Sequence, residues 1–196
     1  MEWIALALFA MTATLTPGPS NVLVMSSGFN FGVKKSVPVF LGVVLGFPFM
    51  LVAVGVGLYS IFAIFPLAHI ILKIVGCAYL VYMAWKIFNT QSVNVESSVG
   101  TPPSFWHGAF LHWVNPKSWI VAVSTIASFS QVQDERLQEA LHVAFIFTSV
   151  ALPCVGTWLV LGDKIRAFVK SSYHVRWFNR IMAILLVLSV IQTSLS

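Results

Sequence analysis

Long apolar runs separated by short polar interruptions make up nearly the whole chain. A helix needs about 20 mostly apolar residues to cross a bilayer. On that measure the pattern predicts six crossing segments, at about Trp3–Ser27, Ser36–Phe65, Leu67–Phe88, Phe105–Phe129, Leu137–Leu161 and Trp177–Leu195. A short turn, Gly28–Lys35, carries Lys34 and Lys35, and Asn89–Ser104, with its Pro102-Pro103 pair, is the only polar linker of any length. The linker divides a single transmembrane domain, 1–196, into a first repeat (1–88) and a second (105–196). Pro17 in the first segment pairs with Pro116 in the fourth. LKIVGCAYLVYMAWKI in the third resembles NRIMAILLVLSVIQTS in the sixth in its basic start and apolar run. An odd number of spans per repeat inverts the second half relative to the first. The predicted fold is therefore an all-α integral membrane protein of six transmembrane helices, built as two inverted three-helix repeats with helices 1 and 4 broken.

The breaks carry the chemistry. They are Thr14–Asn21, TLTPGPSN, and Leu111–Ser118, LHWVNPKS. Proline removes a backbone donor and frees the carbonyl about four residues earlier. The expected free carbonyls are those of Ala13 and Leu15 in the first break and of His112 in the second. In hydrocarbon such groups must be satisfied by protein, water or substrate, so both breaks belong beside a cavity. Lys117 lies about twelve residues from either end of its segment, too deep to snorkel easily. A lysine at mid-membrane depth costs roughly 2.5–3.5 kcal/mol on insertion scales, which points to function. Asn115 can donate and accept; Pro17, Gly18, Pro19 and Pro116 present backbone groups; Thr16 and Asn21 stand next to the break, with Ser20 a weaker candidate. His112 and Lys117 are the candidates for proton coupling, whereas His69, His107, His142 and His174 lie near segment ends and receive no role.

Other features are read as packing. Gly42 and Gly46 have the small-xxx-small spacing that lets helices approach closely, and they leave a homodimer open. Pro48 is expected to bend the second segment, or, with Gly55 and Gly57, to leave it loosely wound. Tyr79, Tyr82 and Trp85, near Lys86, suit an interfacial belt.

Composition excludes an ordinary soluble domain, since 58% of residues are hydrophobic, 9% are charged and the mean hydropathy is +0.89. The net charge of +5 belongs to topology rather than to nucleic acid, which would need an exposed basic face. With the N-terminus outside, the inner side holds Lys34, Lys35, Lys86, Lys164, Arg166, Lys170, Arg176 and Arg180. Only Lys73, Arg136 and the acidic cluster Asp134, Glu135 and Glu139 fall outside, so both termini are placed there. The first apolar run is longer than a signal h-region and is read as a retained span. Cys77 and Cys154 sit in apolar runs and are read as buried thiols without a disulfide. No metal-ligand spacing such as HExxH and no ATP-binding motif occurs, so no enzyme, metal or cofactor is expected and uphill transport would draw on a gradient. A channel would need a continuous polar path, which the low charge content disfavours. The alternative is a structural or partner-dependent membrane subunit without transport activity of its own, which predicts no cavity between the two breaks.

TPGPSNVLVMSSGFNFGVKKS followed by GVVLGF, then LKIVGCAYLVYMAWKIF, then FWHGAFLHWVNPKS resemble, in order and over nearly the whole chain, the LysE/RhtB family of bacterial amino-acid exporters. The resemblance implies export of amino acids or close derivatives from the cytoplasm across the inner membrane, in exchange for protons. It carries substrate-binding positions onto Thr16, Pro17, Gly18, Pro19, Asn21, Asn115, Pro116 and Lys117. Many members have an acidic residue after the second glycine of GxxxG, whereas Gly46 is followed here by Phe47. The resulting LGF is more similar to the cysteine and O-acetylserine exporter branch. No carboxylate can be placed inside a span, since Glu2 precedes the first and Asp163 follows the fifth. A dibasic substrate would lack a partner beside Lys117, so a small zwitterion fits better.

Overall fold

The computed structural model describes residues 2–58, 66–90, 101–129, 136–169 and 171–194. Among these residues all regular structure is helical: α1 (Glu2–Leu15), α2 (Pro19–Gly55), α3 (Pro66–Phe88), α4 (Phe105–Val114), α5 (Pro116–Phe129), α6 (Arg136–Phe168) and α7 (Ser172–Ser194). Most of the expected linker, the end of the second segment (59–65), Asp134, Glu135, Lys170 and Leu195 lie outside the described residues. α2 and α6 are each long and apolar enough to cross a membrane.

α2 is two limbs rather than one rod. Gly32 interrupts it with φ 78° and ψ 168°, backbone angles that only glycine adopts without strain. The Ser27 hydroxyl donates to or accepts from the Ser36 hydroxyl at 2.8 Å. Nine residues along a straight helix would hold them about 13 Å apart, so the chain doubles back at Gly32. The expected loop Gly28–Lys35 is thus a single-residue turn, with helix continuing on both sides. Helix also outlasts the apolar pattern elsewhere. α6 runs to Phe168 instead of ending at Leu161, and α7 begins at Ser172 instead of Trp177. Both extensions carry charged and polar residues (Asp163, Lys164 and Arg166; Ser172, His174 and Arg176), which a helix accepts once it leaves the apolar zone. Pro48 does not break α2, whose only non-helical residue is Gly32.

The bundle is apolar outside as well as in its core, and its buried polar residues are gathered inside, unlike a water-soluble domain with a polar surface. Phe49 and Phe145 are 68% and 71% exposed, and Ile4, Leu45, Ile74, Phe110, Leu141 and Ile184 are exposed with them. Asn21, Ser26, Ser27, Ser36, His112, Asn115, Ser118, Thr125 and Asn179 are buried. In water so much exposed apolar surface would drive association; against lipid it is at rest.

Three helix pairings organise the interior. α1 and the first limb of α2 pack on α6, through Leu6, Ala10, Val143 and Phe147 and through Gly28 against the Leu159 carbonyl and Gly162 against the Met25 carbonyl. α4 packs on the second limb of α2, with Gly42 against the Phe105 carbonyl, Gly46 against Ala109 and Gly108 against the Val39 carbonyl. α3 pairs with α7. At one end of the bundle, Asn30 and Asn179 exchange amide hydrogen bonds at 2.9 and 3.0 Å, Asn179 also donates to the Thr90 carbonyl, and Gly32 lies against Asp163 and Arg166. That end carries Lys34, Lys35, Lys86, Lys164, Arg166, Arg176 and Arg180.

A Cβ at Gly28 would run into the Leu159 carbonyl, a backbone atom that cannot move aside, whereas at Gly156 the nearest atom is the Phe40 ring at 3.9 Å. Gly28→Ala is expected to destabilise the protein by about 1–3 kcal/mol, as overpacking does. Gly156→Ala is expected to be neutral or slightly stabilising, because alanine is the better helix former. Thermal unfolding midpoints of the two variants in detergent check this pair.

Candidate functional site

The first break begins where α1 runs out of donors. The Thr16 N–H and hydroxyl both bond the Thr12 carbonyl, at 3.1 and 2.5 Å, Pro17 has no N–H to give, and Gly18 is extended (φ −173°, ψ 178°). Pro19 then opens α2, where its missing N–H is no loss. From the first turn of α2, Asn21 reaches back and donates its side-chain amide to the carbonyls of Thr14 (2.7 Å) and Thr16 (3.0 Å). Asn21 thus engages the Thr14 and Thr16 carbonyls, which alternate along the chain with the Ala13 and Leu15 carbonyls expected to be freed by the prolines. Every carbonyl of a terminal helical turn is orphaned, and the reach of Asn21 selects the two it meets.

The second break uses the opposite chemistry. α4 ends at Val114, and the Asn115 N–H bonds the His112 carbonyl at 3.4 Å. The His112 carbonyl is thus occupied rather than free, because the helix tightens to i→i+3 spacing before it stops. Asn115 turns extended and accepts the Lys117 N–H on Oδ1 at 3.1 Å, capping α5, with Pro116 in the first helical position. The Trp119 indole donates to the Trp113 carbonyl at 2.8 Å and clips the two halves together.

The breaks meet through Lys117. Its ammonium donates to the Thr16 carbonyl at 3.1 Å, and its stem lies 3.4 Å from where a Cβ of Gly18 would stand. Beside it His112 is fully enclosed, with Nε2 3.0 Å from the Val43 carbonyl and Nδ1 2.9 Å from the Ser118 hydroxyl. A carbonyl can only accept, so Nε2 carries a hydrogen. In the neutral ring Nδ1 then accepts from Ser118.

These groups line one cavity of about 70 Å³. Thr16, Gly18, Pro19, Asn21, His112, Asn115 and Lys117 all contribute to the wall, as does Ser20. Pro17 and Pro116 do not; they shape the chain behind it. Gly42 and Gly46 lie in the α2–α4 contact. Ala13 and Phe47, both named from the sequence for other reasons, also line it, and Thr14, Val43, Ser118 and Val121, with Phe147, Ala151 and Val155 of α6, complete the wall without having been proposed as site residues. Ser118 was within reach, as the polar residue directly after Lys117. The α6 residues carry no local signal. No aspartate or glutamate is among the lining residues. The C-termini of α1 and α4 and the N-termini of α2 and α5 abut this space, so partial negative and partial positive helix ends face it together.

Over residues 11–192 the sequence matches the LysE type translocator family. The chain belongs to that family. This LysE-type translocator is a multi-pass protein of the bacterial inner membrane, a transporter and not an enzyme. It is 32% identical over 186 residues to the cysteine/O-acetylserine efflux protein of Escherichia coli O1:K1 / APEC, covering 91% of this chain and 90% of that one. The proteins of the same name from Escherichia coli strain K12 and Shigella flexneri are each 31% identical over 185 residues, with 91% of this chain and 90% of theirs covered. No solved structure matches the chain.

In the translocator, Asn21→Ala strips the Thr14 carbonyl of its bond from Asn21 and is expected to cost about 1–3 kcal/mol. Asn115→Ala removes a helix cap worth about 1 kcal/mol, and Asn115→Ser, which restores a capping oxygen, is expected to recover most of it. Unfolding midpoints of the three purified variants check the order.

Proposed function

We propose that this translocator exports small neutral amino acids or close derivatives from the cytoplasm, in exchange for protons, and that the cavity between the two helix breaks is its substrate site. The observation that carries this reading is the meeting of the Lys117 ammonium with the Thr16 carbonyl at the edge of a small cavity that has no carboxylate in its wall. A zwitterion matches the two kinds of helix end. Its carboxylate faces Lys117 and the N-terminus of α5, where backbone and dipole favour an anion, and its ammonium faces the carbonyls at the end of α1. Asn115 and Ser20 supply further polar contacts. A dibasic substrate would set a second cation beside Lys117 with no acid to meet it. The names of the relatives, efflux proteins for cysteine and O-acetylserine, describe molecules of this size and charge.

The architecture belongs to the same proposal: six spans in two inverted repeats, 1–88 and 105–196, with α1 plus the first limb of α2 forming broken span 1 and α4 plus α5 forming broken span 4. The helix pairings support it. Exchanging the two halves turns the packing of span 1 on α6 into that of span 4 on the second limb of α2, and turns the α3–α7 pair into itself. The basic end of the bundle supports an orientation with both termini outside the cytoplasm. His112 is the proposed proton carrier. On protonation both ring nitrogens become donors, so the Ser118 hydroxyl must turn from donor to acceptor. The partner-dependent subunit predicts no cavity between the breaks, and the space lined by Thr16, Asn21, Asn115 and Lys117 speaks against it.

The test is efflux from proteoliposomes preloaded with a panel of labelled amino acids, including cysteine and O-acetylserine, with and without an imposed proton gradient. Gradient-driven efflux of small neutral members is expected. Lys117→Ala is expected to abolish it at an undiminished protein level, because a span without the charge inserts more easily. His112→Gln is expected to retain substrate exchange and lose acceleration by the gradient. Normal export by Lys117→Ala would overturn the site assignment.

A further inference from the structure

Beside the seam where α3 and α7 pair, the bilayer-facing surface opens into an apolar groove of about 330 Å³. Its floor is Ala84 and Ala183, both buried, and its walls are Trp85, Phe88, Ile184 and Leu188, all exposed. Two alanines between large neighbours make a trough where a larger pair would close the seam. The two helices run antiparallel, so Phe88 and Arg180 share the basic end. Leu188, eight residues beyond Arg180, lies about 12 Å deeper.

The shallow end of the trough is cationic. The Arg180 guanidinium stands over the Phe88 ring at 5.2 Å and near the Trp177 ring at 6.0 Å. Neither α3 nor α7 contains a single aspartate or glutamate. The aromatic rings fix the guanidinium without neutralising it, and a guanidinium held over a ring keeps its in-plane N–H groups for an oxyanion. We propose that this groove is a binding site for an anionic phospholipid of the leaflet at the basic end, its phosphate against Arg180 and an acyl chain along Ala84 and Ala183. A second copy of the chain fits the groove less well. A two-fold axis along the membrane normal would set the same uncompensated cations against each other.

The test is native mass spectrometry of the purified full-length protein titrated with dioleoyl phosphatidylglycerol or dioleoyl phosphatidylcholine. Tighter retention of the phosphatidylglycerol is expected. Arg180→Gln is expected to weaken it about fivefold, the worth of one basic residue at an anionic surface, with phosphatidylcholine unaffected. Ala183→Phe, which fills the trough, is expected to weaken both lipids. Equal retention of the two lipids by the wild type would overturn the proposal. So would unchanged phosphatidylglycerol binding in Arg180→Gln, or a dimer that Ala183→Phe dissociates while no lipid is held. Each readout is a bound mass, so the result stands apart from the efflux assay and from the transport reading.

Discussion

Four helix ends meet in the middle of this bundle, and their backbone groups must find partners where water is scarce. An unsatisfied peptide group in such surroundings costs several kcal/mol, enough to consume much of a domain's net stability. Two asparagines resolve the problem from opposite sides. Asn21 gives amide hydrogens to the carbonyls that end α1, and Asn115 gives a carbonyl oxygen to the amide that begins α5. Lys117 then adds a charged donor to Thr16, a carbonyl already used by Asn21. The polar groups available to a ligand are thus the surplus capacity of groups already engaged in holding the breaks, and this explains how a cavity this small presents so many of them.

Close backbone approach does for the walls what the asparagines do for the breaks. Without a hydrophobic drive between helices in lipid, association rests on packing and interhelical hydrogen bonds. Glycines at 28 and 162 bring the first limb of α2 onto α6, and those at 42, 46 and 108 bring the second limb onto α4. Val43, between two of those glycines, is drawn near enough for its carbonyl to receive the His112 ring. A packing motif and a titratable side chain are thereby joined: any shift of α4 along α2 changes the hydrogen bonding of His112.

What could be read from the sequence was what leaves a local mark. The two proline breaks, the buried lysine, the glycine pair at 42 and 46 and the basic turns each stand out against apolar neighbours, and together they delivered most of the cavity's polar wall. Features that depend on the register between distant spans left no mark. The Asn30–Asn179 amide pair joins residues 149 apart, and the partners of Gly28 and Gly162 lie on helices whose mutual offset no periodicity encodes. Gly32 was visible but not distinguishable from Gly28 as the turning point, because the choice is made by the Ser27–Ser36 bond and by the positive φ, both tertiary facts. The bonds of Asn21 to the Thr14 and Thr16 carbonyls, and the occupation of the His112 carbonyl by the Asn115 N–H, were not foreseen for the same reason. Proline says that a carbonyl is orphaned, and the donor that arrives decides which one matters.

The two candidate proton carriers can be separated by the sign of coupling that exchange requires. Antiport needs proton and substrate to exclude each other at the site. A bound carboxylate favours the charged lysine and a charged lysine favours the carboxylate, so Lys117 makes the two ligands help each other, and linkage makes that help reciprocal. Assigned to Lys117, the proton would travel with the substrate. His112 has the opposite sign, because its protonated ring and the ammonium of a zwitterion are like charges. At about 5 Å and an effective dielectric constant of about 20 they repel by about 3 kcal/mol, more than a hundredfold in affinity. Ser118 reinforces the exclusion: once turned by the protonated ring, its hydroxyl no longer points at the nitrogen that held it and is redirected into the surrounding wall. Under the proposed exchange, Lys117 would hold the carboxylate and His112 would count the proton, and an exchanger needs both.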